Sequence, residues 1–326
     1  MLRHLSLRQL TVFLEAARQM SFARAAENLH LTQPAISMQI RQLESVVGLP
    51  LFERVGKRLA LTEAGTLFRH HAARVIGELQ DAEQTLRALR GLQSGQATVG
   101  LVSTAKYFAP KLLAQFAAIH PLVDIQFLVG NRETLINALR DNEIDFAVMG
   151  RPPDKLDAHA EPIAENPHRL VAHKSHRLLR ERRFDFHELR NETFLMREPG
   201  SGTRLVMEAV FKQHLFAPQR IVTIGSNETV KQAVMAGMGV SLLSLHTLEL
   251  ELRTKEIGLL DVIGTPVMRS WHLVNMNAKK LSPAATAFRQ FLLEHTNAYL
   301  EKTFAPYRRE ASAEKVRPRE EKKKPR

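Results

Sequence analysis

Residues 63–92, EAGTLFRHHAARVIGELQDAEQTLRALRGL, contain no proline and hold a helical period throughout. Leu67, Val75, Leu79, Leu86 and Leu89 keep close to one stripe of that helix. A helix of this length spans ~45 Å at the usual rise, too far for the short segment before it to bury the stripe. The chain on either side is patterned differently. Before it lie short helical runs, and after it strands alternate with helices. These residues therefore exclude a single layered domain and require a head, a helical spacer and a body. The stripe is expected to pair with the same helix of a second copy. Gly91, Ser94 and Gly95 mark its end.

The head carries two helices with a brief break between them. Ser21 can cap the first, in which Phe22, Ala25, Ala26 and Leu29 recur at helical spacing; the break follows at 28–31. In LTQPAISMQIRQLE, Thr32 can cap the second helix, and Pro34 in its first turn removes no intrahelical bond. Ile36, Ile40, Leu43 and Val47 form its buried stripe, whereas Pro34, Ser37, Met38, Arg41 and Ser45 face outward without an acidic residue. An ordinary amphipathic surface helix fits this segment taken alone. The pair together fits a helix-turn-helix, whose second helix enters the DNA major groove. Gln33 suits an adenine edge, Ser37 several partners, Pro34 a thymine methyl, and Arg41 a phosphate. A hairpin with a basic turn follows, with Arg54, Lys57 and Arg58 placed as a wing to meet the backbone or a narrow minor groove.

Charge supports the same division. Of the net +12, residues 1–62 hold +4 and residues 302–326 hold +6, which leaves little for the body. A basic head fits polyanion contact. The tail REASAEKVRPREEKKKPR has almost no apolar residues and is expected to be disordered, either a solvated extension or an aid to non-specific DNA affinity. With no cysteine, disulfides, thiolate catalysis and Cys-zinc sites are excluded. No signal pattern and no run near ~18 apolar residues is present, so a cytoplasmic protein without a membrane partner is expected.

In the body, ATVGLVST, VDIQFLVG and IDFAVMG read as strands between the helices YFAPKLLAQFAAIHP and RETLINALRDNE. After RPP the register repeats: HRLVAHK, TFLMR, RIVTIGS and GVSLLS as strands, GTRLVMEAVFKQHLF and NETVKQAVMAGM as helices. VMRSWHLVNM and a helix from Pro283 are expected to return to the first half. Two α/β lobes joined by two crossovers make a cleft. Ligands of open sheets gather at strand ends and helix starts. Four places fit: Ser103 and Thr104; Gly130, Asn131 and Arg132; Gly200, Ser201, Gly202 and Thr203; Ser226 and Asn227. Exposed N–H groups there favour an anion, with Arg132 and Arg204 as possible counter-charges. Each is equally an ordinary cap or turn when taken singly. His168, His173 and His176 lack metal-ligand spacing and read as surface; no metal site is expected.

Residues 5–66 resemble the DNA-binding domain of LysR-type transcriptional regulators, through LRQLTVFLEAARQMSFARAAENLHLTQPAISMQIRQLE and GLPLFERVGKRLALTEAG. Many members carry a basic residue where this chain has Met38, so no contact is carried over to that position. The resemblance extends to about residue 300. It implies an α+β multi-domain chain: a winged helix-turn-helix (1–62), a dimerisation helix (63–92), effector lobe I (93–162 and 267–300), lobe II (163–266) and a basic tail (301–326). Within the family the body resembles regulators of Calvin-cycle (RuBisCO) operons, through VSTAKYFAPKLLAQFAAIHP, GNRE, DNEIDFAVMGRPP and REPGSGTR. That implies a homodimer or homotetramer on a dyad site in promoter DNA, contact with RNA polymerase, and a small anionic effector such as ribulose bisphosphate, phosphoenolpyruvate or NADPH, without a cofactor. A regulator of another metabolic operon and a solute-binding receptor are the competing expectations. An enzyme in the cleft would need a nucleophile with its base, a metal set or a cofactor loop, and none is evident.

Overall fold

Helix α1 (Leu7–Gln19) starts at a capping box, with Ser6 accepting from the Gln9 N–H while the Gln9 side chain accepts from Ser6. The computed structural model describes residues 5–56, 58–89 and 95–307, with side chains at all of these except 80, 81, 84, 85 and 87–89. Helix α2 (Phe22–Asn28) is capped by Ser21, and α3 (Gln33–Val47) by Thr32 with Pro34 in its first turn; Gly48 ends α3 at φ 80°. Strands β1 (Phe52–Val55) and β2 (Arg58–Leu61) form an antiparallel hairpin. Phe13, Ile36, Leu43 and Leu51 are fully buried beneath these elements, and the Phe13 ring meets Phe52 and Phe68 edge-on.

Helix α4 (Glu63–Leu89) uses two faces. Phe68, Ala72 and Ile76 pack on the head core, and a Cβ at Gly65 would overlap the Leu51 carbonyl. Leu67, Val75, Leu79 and Leu86 point away and are 46–61% exposed. Leu89 and Lys57 fall where side chains, or the residue itself, lie outside the described set.

The body continues as β3 (Gly95–Val102), α5 (Ala109–Ile119), β4 (Val123–Gly130), α6 (Arg132–Arg140), β5 (Phe146–Met149) and β6 (Ala158–His173). Next come β7 (Thr193–Arg197), α7 (Gly202–Gln213), β8 (Arg220–Ile224), α8 (Asn227–Met235), β9 (Ser241–Ser244), α9 (Glu249–Arg253), β10 (Ile257–Leu259), β11 (Val267–Met276) and α10 (Pro283–Phe304). One seven-stranded sheet runs in the order β10-β6-β11-β5-β3-β4, with β9 also on β6; β7 and β8 form a parallel pair in lobe II. The α10 helix returns to lobe I, where Phe288 packs on Phe116 of α5. A second core, around Phe186, Phe194, Phe211 and Phe216, fills lobe II.

Two expectations are corrected. Strand β6 starts ten residues before His168, because Pro162 and Pro167 disguise it. From Ala158 to Pro167 it pairs with β11 alone, and the register slips beside Pro162, so a missing N–H is tolerated on the free edge. The crossovers are therefore two long antiparallel strands shared by both lobes. Residues 301–307, assigned to the tail, continue α10 and a 3₁₀ turn; Phe304 is buried with its ring 4.8 Å from His246. The tail beyond 307 lies outside the described residues.

Candidate functional site

The first α3 turn presents Thr32, Gln33 and Pro34 exposed, Ser37 half-buried, and Met38 and Arg41 exposed on the same side. Thr32 has spent its hydroxyl on the Ala35 N–H. Gln33, Ser37, Arg41, Arg54 and Arg58 have no side-chain hydrogen bond or ion pair among the described residues, unlike Arg18, which is held by Glu15 at 2.9 Å. The exposed wing tip turns at Gly56, φ 64°, between Val55 and the undescribed Lys57. A polar face without internal partners, beside a basic hairpin, has its hydrogen-bonding capacity free for a ligand.

The second surface is a cleft of about 290 Å³ between the lobes. Lobe I supplies Ser103 and Thr104 after β3, and Asn131 and Arg132 at the start of α6. Asn131 accepts from the Thr134 N–H at 2.9 Å and so caps α6. Lobe II supplies Ser201, Gly202 and Thr203 at the start of α7, where Ser201 is buried but makes no capping bond. The N–H groups of that first turn remain available to an anion. The crossover strands add Asn166 and His168 from β6, and Arg269, Ser270 and Trp271 from β11.

The charge of this cleft is one-sided. Arg132, Arg151 and Arg269 line it, and no Asp or Glu does. Burial depresses the Arg132 guanidinium, and the like charge of Arg269 depresses it further. The Arg132 Nη2 donates to the Arg151 carbonyl at 3.1 Å, a neutral partner that leaves the charge unbalanced. Burial also pushes His168 down to about 4, and Arg269 adds to the effect. His168 is only 4% exposed, which corrects its reading as a surface residue: its place on β6 between Val267 of β11 and Ser244 of β9 decides its burial.

Seven of the residues expected at a ligand site converge here: Ser103, Thr104, Asn131, Arg132, Ser201, Gly202 and Thr203. Gly200 stands just behind. Its φ of +84° suits glycine, and a Cβ there would strike Glu133 of the opposing lobe. Arg204 instead donates to the Arg197 carbonyl and pairs with Glu208. Asn227 is displaced from the cleft lining. Its side chain, 1% exposed, donates to the Tyr107 hydroxyl at 3.2 Å in a separate cluster. There Lys231 sits 2.6 Å from Glu251 and 3.0 Å from Glu228, with the Tyr107 ring beneath it. The residues missed in the sequence are Arg151, Asn166, His168, Arg269 and Trp271. Alternation along VMRSWHL puts Arg269 and Trp271 on one face, which was a usable signal.

Helix α6 links this cleft to α4. It starts at the cleft with Asn131 and ends at Asp141, which is buried, bonded to His70 and 2.9 Å from Arg69 of α4. Among the described residues no group of three His, Cys, Asp or Glu side chains is arranged to hold a metal ion, and no helix is long and apolar enough to cross a membrane.

Comparison with known proteins matches both halves of this architecture. Residues 7–66 match the family described as bacterial regulatory helix-turn-helix protein, lysR family, and residues 90–297 match the LysR substrate binding domain. The chain is 62% identical to the HTH-type transcriptional regulator CfxR of Cupriavidus necator, over 92% of this chain and 94% of that protein. It is 47% identical to the regulator CbbR of Rhodospirillum rubrum, over 90% and 98%. The regulatory domain of CcmR from Synechocystis PCC6803, solved in complex with 2-PG, is 35% identical with a TM-score of 0.59, covering 61% of this chain and 96% of that one. Full-length CbnR on its target DNA, 24% identical with a TM-score of 0.63 over 88% and 99%, shares the fold.

Proposed function

The chain belongs to the LysR family of bacterial transcriptional regulators, and from that premise we propose that it controls carbon-fixation genes, the RuBisCO operon among them, in response to a small anionic metabolite bound between the lobes. The cleft with three arginines and no carboxylate carries the effector part of this reading. Arg132 is half-buried beside the like charge of Arg269, which is costly until a counter-charge arrives, so an anion is the ligand that relieves it. The operon assignment is supported by CfxR and CbbR, and by the RuBisCO operon transcriptional regulator of Allochromatium vinosum, 46% identical over 89% of this chain. A cavity of about 290 Å³ favours ribulose bisphosphate, phosphoenolpyruvate or 2-PG over a dinucleotide the size of NADPH.

In this reading Gln33, Pro34 and Ser37 meet base edges, and Arg41, Arg54, Lys57 and Arg58 meet phosphates. The exposed Leu67, Val75, Leu79 and Leu86 pair two α4 helices, and two such dimers form the tetramer. Two heads then address a dyad, inside the cell beside RNA polymerase. Coupling runs through α6. A ligand that favours one lobe spacing moves the Asn131 end, and the Asp141 end carries that movement to Arg69 and His70 on α4.

The test is fluorescence anisotropy on DNA from upstream of a RuBisCO operon, at two salt concentrations, with each metabolite. Binding that one metabolite alters is expected. Gln33→Ala and Ser37→Ala should each weaken it about tenfold without loss of folding. Asp141→Asn should still bind the metabolite while the DNA response disappears. Salt-sensitive binding to any duplex, unmoved by every metabolite, would overturn the operon assignment.

A further inference from the structure

We propose that His168 Nε2 is the hydrogen-bond acceptor that makes this cleft select anions bearing a hydroxyl group; the inference rests on the anion-binding reading of the same cleft. The ring lines the cleft while the residue is 4% exposed. Its Nδ1 lies 3.1 Å from the Asn166 carbonyl oxygen, which can only accept, so Nδ1 carries the proton and donates. Nε2 is left with its lone pair and no protein partner among the described residues.

The surroundings hold the ring in this state. His168 pairs through its backbone with Val267 on one side and Ser244 on the other. Ser244 donates its hydroxyl to Asn166 at 2.6 Å, which fixes the neighbouring side chain as well. The charged groups that face the cleft are Arg132 from α6, Arg151 after β5, and Arg269 from β11. Arg151 pairs at 3.6 Å with the exposed Asp154, which is outside the lining, so no acid in the lining favours an imidazolium. These arginines only donate. The two asparagine oxygens of the cleft are already engaged, Asn131 by Thr134 and Asn166 by Ser244. The Gln213 amide and the hydroxyls of the lining both donate and accept, and so do not by themselves distinguish a hydroxyl from an anionic oxygen. A ligand composed only of anionic oxygens leaves Nε2 facing a lone pair. One with a hydroxyl beside its charged groups satisfies it.

The experiment follows Trp271, the single tryptophan of the chain and a wall of the cleft, by its emission in the full-length protein. The probes are 3-phosphoglycerate and its 2-deoxy analogue, which differ by one hydroxyl. Wild type is expected to bind the hydroxylated probe roughly tenfold more tightly, with the ratio constant from pH 8 to 6. His168→Leu should abolish the preference while keeping affinity for the deoxy probe. His168→Gln, whose amide oxygen can accept, should retain part of the preference and serves as the folding control. Equal affinities in wild type, or a preference that survives in His168→Leu, would overturn the proposal. So would proton uptake on binding that His168→Gln removes, since His168 would then act as a cation. No response to either probe would remove the anion-cleft reading itself.

Discussion

Two polar sites lie where the lobes meet, and they are built from similar residues to opposite effect. Around Tyr107, each basic group has its counter-charge: the buried Lys231 between Glu228 and Glu251, and the exposed Lys111 on Glu249 at 2.6 Å. Lys231 is held above the ordinary lysine range by these carboxylates against the cost of burial. In the cleft, Arg132 and Arg269 face each other without an acid. Compensated charge closes a structure on itself, whereas uncompensated charge leaves it waiting for a ligand. The first site is a strut between the lobes, and the second is the one left open to a ligand.

The largest effect should come from breaking the strut. Glu251→Ala leaves Lys231 buried with only the more exposed Glu228, and should cost about 3 kcal/mol in chemical denaturation. A cost near zero would mean that this site, too, is free of structural duty. The reverse holds in the cleft. Arg269→Ala should leave stability unchanged or slightly raised, because it relieves Arg132, while anion affinity read by Trp271 emission falls roughly thirtyfold. Loss of stability with affinity retained would reverse the contrast. The smallest effect concerns pH. His168 is depressed to about 4 in the fold from 6.5, so the unfolded chain takes up its proton first as pH falls. Stability from this group is therefore intact above 6.5 and is lost as pH drops toward 4. Wild type should lose about 1 kcal/mol more than His168→Gln between pH 7 and 5.5. Parallel pH curves for the two proteins would show that the ring titrates in the fold as it does in the unfolded chain.

The head was readable because its signals are local. Thr32, Pro34 and the stripe of Ile36, Ile40 and Leu43 act within a few residues, and the structure caps and buries them accordingly. The four clusters of small polar residues at helix starts were also readable as turns, since a cap needs only its own helix. Which of them share a cleft was not. Asn131 and Ser201 meet because the lobes fold together, while Asn227, with the same local chemistry, turns to Tyr107.

The sequence by itself therefore determined the head, spacer and body, the helix-turn-helix, and a sheet built from strand–helix alternation, because hydrophobic period and capping are properties of neighbours along the chain. Tertiary structure alone decided which charges remain uncompensated. Arg132 is half-buried and Lys231 buried, both on helices. Helical spacing offers Lys231 the more exposed Glu228, but nothing along the chain predicts its buried partner or the lack of an acidic one at Arg132 among the described residues. Glu251 arrives at Lys231 from another helix, and no carboxylate arrives in the cleft. Coulomb energy depends on separation in space and on exclusion of water, and both are settled only when distant segments pack.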